Sequence, residues 1–240
     1  MMLDFTDKIV LITGASQGIG LGIAKGFLQC GATVHITGTR ASADTYEDDL
    51  SDFHYHQSDL STSGGRVQLH AQLPELDVLI NNAAIALEND AEYEVEAFRQ
   101  VMEMNVTGVM ELCMLYRDSL MGRGGSIVNV GSLASHLAIK EAPAYTSSKS
   151  GLLGLTRVLA DKWSTQGVRV NMIAPGFVRT RMTQGHRADP TYEKRLLQTV
   201  PMKRWAEPDE MAGAVMFLAS PLASYITGVS LPVDGGVLLR

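Results

Sequence analysis

The chain has 240 residues, enough for one domain that buries roughly three-quarters of its unfolded surface. Apolar residues make up 45% and charged residues 19%, a globular balance that excludes disorder. The net charge of −6, with no cluster of Lys and Arg, leaves nucleic-acid binding without an electrostatic footprint.

In chain order, Lys8 to Thr13 is an apolar run that reads as a buried strand. The glycine-rich Thr13-Gly14-Ala15-Ser16-Gln17-Gly18-Ile19-Gly20 follows it, and then Leu21, Ile23, Ala24, Phe27 and Leu28 recur at helical spacing. Further strands are predicted at Thr33 to Thr37, Phe53 to Gln57, Asp77 to Asn81, Ser126 to Val130, Val168 to Ile173 and Val229 to Val233. Helices fill the intervals. The clearest runs from Ala144 to Trp163, with Leu152, Leu155, Val158 and Leu159 expected to face inward. Arg40 to Asp52 is polar and too short for a long crossover helix, so a loop or abbreviated helix is expected there. Met182 to Arg195 breaks the pattern; a flexible stretch at 182–195 is a candidate lid over substrate. The alternation predicts an α/β fold with a parallel sheet in one domain, 1–240.

Strand, glycine turn and helix is the context a phosphate-binding motif requires. Tyr145 and Lys149 stand four residues apart and project from one helix face. Ser132 follows a strand thirteen positions before the tyrosine. A phenol beside an ammonium makes a proton donor or acceptor usable near neutral pH, which points to hydride exchange at a carbonyl carbon with proton exchange at its oxygen.

With these motifs the chain resembles the short-chain dehydrogenase/reductase family over nearly its whole length. Asn81-Asn82-Ala83-Ala84 is similar to that family's Asn-Asn-Ala-Gly motif, with alanine in the last place. Asn105 stands where the family has a fourth catalytic residue, Pro175-Gly176 with Thr180 resembles the segment that covers the nicotinamide, and Gly228 to Gly236 resembles the family's ending. The resemblance implies a single Rossmann-type doubly wound sheet of about seven strands with helices on both faces. It also implies a dinucleotide cofactor held by Gly14, Ser16, Gln17, Gly18, Ile19, Gly20, Thr39, Arg40, Asp59, Leu60, Asn81, Ala83, Tyr145, Lys149, Pro175, Gly176, Val178 and Thr180. Asp59 would hold the adenine amino group, and Asn81 would line the adenosine side. NADP(H) is favoured over NAD(H): Gly38 occupies the place where NAD-using members carry aspartate, and Thr39 and Arg40 offer a hydroxyl and a guanidinium. Asp44 and Glu47 nearby count against this choice.

An unperturbed tyrosine titrates near ~10, and the Lys149 charge is expected to lower that value while its ammonium bonds the nicotinamide ribose. Tyr145 then exchanges the proton, Ser132 holds the substrate oxygen, and Asn105 supports a relay through water. His54 and His56 alternate on one strand face without an evident third ligand, so no metal is expected. The twelve methionines are read as core filling. His136 and Lys140 lie where substrate-facing residues are expected.

The leading function is an NADP(H)-dependent oxidoreductase on a ketone or secondary alcohol, of 3-oxoacyl or other small oxo type. The alternatives are an NAD(H)-dependent sugar-acid or polyol dehydrogenase and a non-catalytic dinucleotide-sensing protein. Of the two basic positions that carrier-dependent reductases use, Arg123 is present and the other is Gln166, so no carrier dependence is expected. Helices Val101 to Leu115 and Ala144 to Trp163 carry Met110, Leu112, Leu153 and Trp163 on more than one face, which predicts a homotetramer. No run approaches a membrane span, and the N-terminal residues lack the basic start and apolar core of a signal peptide. The unpaired Cys30 and Cys113 suit a reducing compartment, so the expected location is the cytoplasm.

Overall fold

The computed structural model describes residues 3–88 and 90–239. Seven strands form one parallel sheet in the order β3-β2-β1-β4-β5-β6-β7. They are β1 (Ile9–Ile12), β2 (Thr33–Gly38), β3 (His54–Gln57), β4 (Val78–Asn81), β5 (Ser126–Val130), β6 (Arg169–Pro175) and β7 (Ser230–Val233). All seven strands stand where the periodicity predicts them. The central strands are buried on both faces, as a helix-covered parallel sheet requires.

Side-chain alternation splits the core into two layers. Val10, Ile12, Val34, Ile36, Ile80 and Val128 pack on one face with Ile23 and Phe27 of α1 (Gly18–Gln29) and Val215 and Leu218 of a late helix. Leu11, Leu79, Ile127 and Val170 pack on the other face with Leu69, Leu112, Leu152 and Trp163. The helices of that second layer are α2 (Ser63–Gln72), α4 (Gly108–Leu115) and α6 (Pro143–Trp163). Strand order reverses between β1 and β4, registered as Ile12↔Ile36 on one side and Ile12↔Ile80 on the other. The two crossovers leave to opposite faces there, opening a crevice at the carboxyl ends of the strands.

Three expectations need correction. Most of residues 182–195 is regular: α7 (Gln184–Ala188) and α8 (Pro190–Thr199) take up all but Met182, Thr183 and Asp189. The Asp189 carboxylate accepts from the Thr191 amide at 2.8 Å, and Pro190 begins α8. Asp-Pro is thus a helix start rather than a break. Val158 of α6 is 65% exposed, because the inward face of that helix runs through Lys149, Leu152, Thr156, Leu159 and Trp163. Leu112, Leu153 and Trp163, assigned to subunit pairing, are buried within the chain itself at 3%, 9% and 4% exposure. The remaining helices are α3 (Val95–Met102), α5 (Arg117–Arg123) and α9 (Ala212–Ala219). A wider π-type turn, Glu103–Thr107, joins α3 to α4, and the 40–52 segment holds only a single short turn, Ala43–Thr45. Among the described residues, no helix is long and apolar enough to cross a membrane.

Candidate active site

The glycine turn lies at the carboxyl end of β1, clamped from both neighbouring strands. The Gly14 amide donates to Thr37 Oγ1 at 2.9 Å, and the Ala15 amide to the Thr37 carbonyl at 3.1 Å. From β4, Asn82 Nδ2 donates to the carbonyls of Thr13 (2.8 Å) and Gly14 (3.0 Å), while Thr13 Oγ1 accepts from the amides of Asn82 and Ala83. Gly14 has φ +62°, and a Cβ there would lie 2.9 Å from Ala83 Cα, so only glycine fits.

The amino end of α1 meets the requirements of a pyrophosphate site. Gln17 precedes it without a side-chain cap, and no acidic residue occupies its first turn. The first-turn amides of Gly18, Ile19 and Gly20 and the positive end of the helix dipole therefore remain for an anion. Gly18 packs with its Cα side toward the Thr180 methyl, which brings the segment after β6 over the same turn. Val178 is buried and Gly176 abuts Asp234 so closely that a Cβ would lie 2.6 Å from its Cα. The segment from Pro175 to Thr180 thus runs from the end of β6 to the glycine turn, where Thr180 meets Gly18.

Other predicted contacts are placed less directly. Asn81 is 2% exposed; its Nδ2 donates to Asn129 Oδ1 at 2.9 Å and so ties β4 to β5, while its Oδ1 is without a partner among the described residues and the residue lines a small cavity with Thr13, Leu60 and Ala83. Asp59 is exposed beyond β3, its Oδ1 accepting from Ser61, and Leu60 beside it is buried under Arg66. Ala83 is half-buried against Gly14.

Ser132, Tyr145 and Lys149 converge at the end of β5. Ser132 caps a short turn after the strand, its Oγ accepting from the Ala134 amide at 3.1 Å. Lys149 is 3% exposed and its Nζ donates to the Val130 carbonyl at 2.8 Å; burial brings its pKa down to about 8. The ammonium lies 5.6 Å from the centroid of the Tyr145 ring. Tyr145 departs from expectation: burial raises its pKa above the ordinary value, against a hydrogen bond from Ser132 that lowers it, and the charge of Glu92 raises it further. Lys149 does not reverse this, because it faces the ring and is held by Val130 rather than by the phenolic oxygen.

Asn105, in the π-type turn, is 1% exposed. Its Oδ1 accepts from the Ile85 amide at 2.9 Å, and its Nδ2 donates to the Ile85 carbonyl (2.8 Å) and Ser148 Oγ (3.0 Å). Ser148 in turn donates to the Tyr145 carbonyl at 2.8 Å.

Glu92 was not singled out from the sequence. It is 1% exposed and accepts from the amides of Tyr145 (2.7 Å) and Leu87 (2.9 Å), at the amino end of α6. Its position in an acidic stretch with Glu88, Asp90, Glu94 and Glu96 disguises it as one more solvated charge. Of the residues expected near substrate, His136 is exposed and hydrogen-bonds Ser230 Oγ at 3.0 Å, and Lys140 is exposed beside Glu141. His54 and His56 are joined by His35, whose Nδ1 lies 2.9 Å from His56 Nε2. Among the described residues no group of three or more side chains could hold a metal ion.

An uncapped glycine turn at a strand-order reversal, beside a serine, a tyrosine and a buried lysine, defines a dinucleotide-dependent oxidoreductase. The sequence family described as Enoyl-(Acyl carrier protein) reductase matches residues 14–238. The chain is 34% identical over 243 residues to 2-dehydro-3-deoxy-D-gluconate 5-dehydrogenase of Dickeya dadantii, covering 97% of this chain and 96% of that one. It is 34% identical over 254 residues to the 3-oxoacyl-[acyl-carrier-protein] reductase FabG of Vibrio cholerae, covering 99% and 100%. A crystal structure from Beutenbergia cavernae, with NADP bound at low occupancy, superposes with a TM-score of 0.93 at 34% identity over 99% of both chains. The chain belongs to the short-chain dehydrogenase/reductase family, whose members use NAD(P) to act on CH–OH groups.

Proposed function

We propose that this protein is an NADP(H)-dependent oxidoreductase that interconverts a ketone and a secondary alcohol in a small free substrate. The observation that carries the proposal is the convergence of Ser132, Tyr145 and Lys149 beside the uncapped glycine turn. The glycine turn, Ser16, Thr39, Arg40 and the segment from Pro175 to Thr180 would hold the cofactor, which when bound supplies or accepts the hydride. A tyrosine raised by burial is protonated at neutral pH, so Tyr145 is poised to donate to the oxygen of a carbonyl. Ser132 holds that oxygen in line. Once the phenol has given up its proton, the Lys149 charge steadies the phenolate; with a pKa of about 8 the lysine is mainly charged at neutral pH. Asn105 positions Ile85 and, through Ser148, the turn of α6 that carries Tyr145; a water relay would use the remaining lone pair of its Oδ1.

Gly38, Thr39 and Arg40 support NADP(H) over NAD(H). Two observations support a free substrate of sugar-acid, polyol or short 3-oxo type. Arg123 is engaged by Glu75 and, at 3.6 Å, by Asp77, which leaves it committed within the chain rather than to an acidic carrier. The likeness to a sugar-acid dehydrogenase extends over almost the whole chain. Helices α7 and α8 form the lid, latched by Arg187 Nη2 donating to the Thr180 carbonyl at 2.8 Å and Trp205 Nε1 donating to Glu193 at 2.7 Å. The exposed Val158 of α6 and Met114 of α4 suit burial in a homotetramer, and the two free cysteines suit the cytoplasm. The test is consumption of NADPH and NADH over a panel of oxo sugar acids, ketoses, short 3-oxo thioesters and a carrier-linked 3-oxoacyl substrate. Turnover of free substrates with NADPH is expected. A gain of about a hundredfold with the carrier-linked substrate, or turnover with NADH alone, overturns the corresponding part.

A further inference from the structure

The segment after β2 folds back over the end of that strand and brings Tyr46 to the edge of the crevice. Its hydroxyl accepts from the Arg40 amide at 3.1 Å and lies 3.4 Å from the Tyr55 hydroxyl, which donates to the Arg40 carbonyl at 2.5 Å. Ser16 of the glycine turn and Thr39 are the next polar side chains toward the same hydroxyl. The Arg40 guanidinium carbon stands 4.5 Å from the centroid of the Tyr46 ring. A Cβ at Gly38 would run into the Tyr46 hydroxyl and lie 2.9 Å from that of Tyr55. The phenol therefore occupies the space into which an aspartate at position 38 would project.

We infer that Tyr46 is a specificity residue for the 2′ position of the cofactor's adenosine ribose. Its hydroxyl joins those of Ser16 and Thr39 and the Arg40 guanidinium in a seat for a 2′-phosphate, and it keeps position 38 free of any side chain. The inference rests on the NADP(H) reading and deepens it. With the Arg40 amide donating to the phenol oxygen, its own O–H remains available as a donor, and a phosphate oxygen accepts it. Burial raises the pKa of this phenol, but the polar groups around its oxygen, Tyr55 and the Arg40 amide first, outweigh it and bring the value to about 8. A more acidic phenol is a stronger donor to an anion. The ring also holds the guanidinium in place before the ligand arrives.

Two consequences are open to measurement. Binding of 2′,5′-ADP and of 5′-AMP to the cofactor-free protein, followed by calorimetry, reads the adenosine end alone. The parent chain is expected to bind 2′,5′-ADP more tightly, and Tyr46→Phe, which keeps the ring, to reduce that ratio about tenfold. If the parent shows no preference, the NADP(H) reading falls and this inference with it. If the parent discriminates and Tyr46→Phe keeps the ratio within about twofold, only the inference falls. For the steric half, Gly38→Asp is expected to lower the melting temperature and weaken both nucleotides. Adding Tyr46→Ser should restore the melting temperature and turn the preference toward 5′-AMP. A Gly38→Asp protein that melts with the parent and prefers 5′-AMP without the second change refutes it.

Discussion

Replacing Glu92 with Gln is the sharpest test of how the site is held. Both carboxylate oxygens accept backbone amides, from Tyr145 at 2.7 Å and Leu87 at 2.9 Å, with the side chain 1% exposed. A glutamine keeps one acceptor and turns its amide group against the other N–H. Loss of a hydrogen bond to a charged group costs about 1.5–3 kcal/mol, and loss of the negative charge at the amino end of α6 about 0.3–1 kcal/mol. Relief of the buried charge's desolvation offsets part of this, leaving about 1–3 kcal/mol. At about 2–4 °C per kcal/mol for a domain of this size, Tm should fall by about 2–12 °C. A second readout separates a merely structural role. The Glu92 charge is one of the causes that raise the Tyr145 pKa, after burial and against the Ser132 hydrogen bond. Removing that charge lowers the pKa. The limb on which reduction declines with rising pH, as Tyr145 loses its proton, therefore moves to lower pH. Scanning calorimetry and a pH profile of kcat/KM check both. A Tm within about 1 °C of the parent together with a superimposable profile refutes the reasoning.

Tyr145→Phe should lower kcat at least about a hundredfold, since general acid–base catalysis is worth roughly 10²–10⁴-fold, while NADPH affinity measured by fluorescence titration changes little; retention of more than about a tenth of the rate contradicts the donor role. Gly14→Ala places a Cβ 2.9 Å from Ala83 Cα on a residue with φ +62°. Strain of this kind costs about 1–3 kcal/mol, so a lower urea midpoint and weaker dinucleotide binding are expected; unchanged values of both contradict the clamp. Burial, then the charges of His54 and His56, depress His35 from 6.5 to about 4. Between those values the unfolded chain binds a proton that the folded chain does not, so stability falls as pH drops through that window and is recovered above it. Urea unfolding at several pH values should show this slope, and His35→Gln should flatten it; an unaltered slope in that variant excludes His35 as the source.

The parts of the site carried by contiguous or helix-spaced residues were legible without coordinates. Thr13 to Gly20 between an apolar run and a helical pattern already specified a glycine turn from strand to helix, because strand burial and glycine geometry act locally. Tyr145 and Lys149 shared a face because of the helical period alone. Glu92 and Tyr46 were not legible. The first lies among other acidic residues and differs from them only in where the chain returns it, beneath the amino end of α6. The second lies in a segment with no hydrophobic period, where nothing local specifies the path.

What the sequence by itself determined is the order and type of the strands, the parallel sheet that their continuous burial demands, and the chemistry-bearing residues of the crevice. These follow from short-range patterning: side-chain periodicity, glycine at left-handed backbone positions, and one apolar run per strand. The tertiary structure decided the ionisation of those residues and the details of their surroundings. Burial lifted the Tyr145 pKa where a neighbouring lysine was expected to lower it, and Val130 rather than the phenol took the Lys149 ammonium. The fold also buried Leu112, Leu153 and Trp163 in its own core and joined Asn81 to Asn129 across two strands. Proton affinity and partner choice depend on which groups, distant in sequence, exclude water from one another, and that is settled only when the layers close.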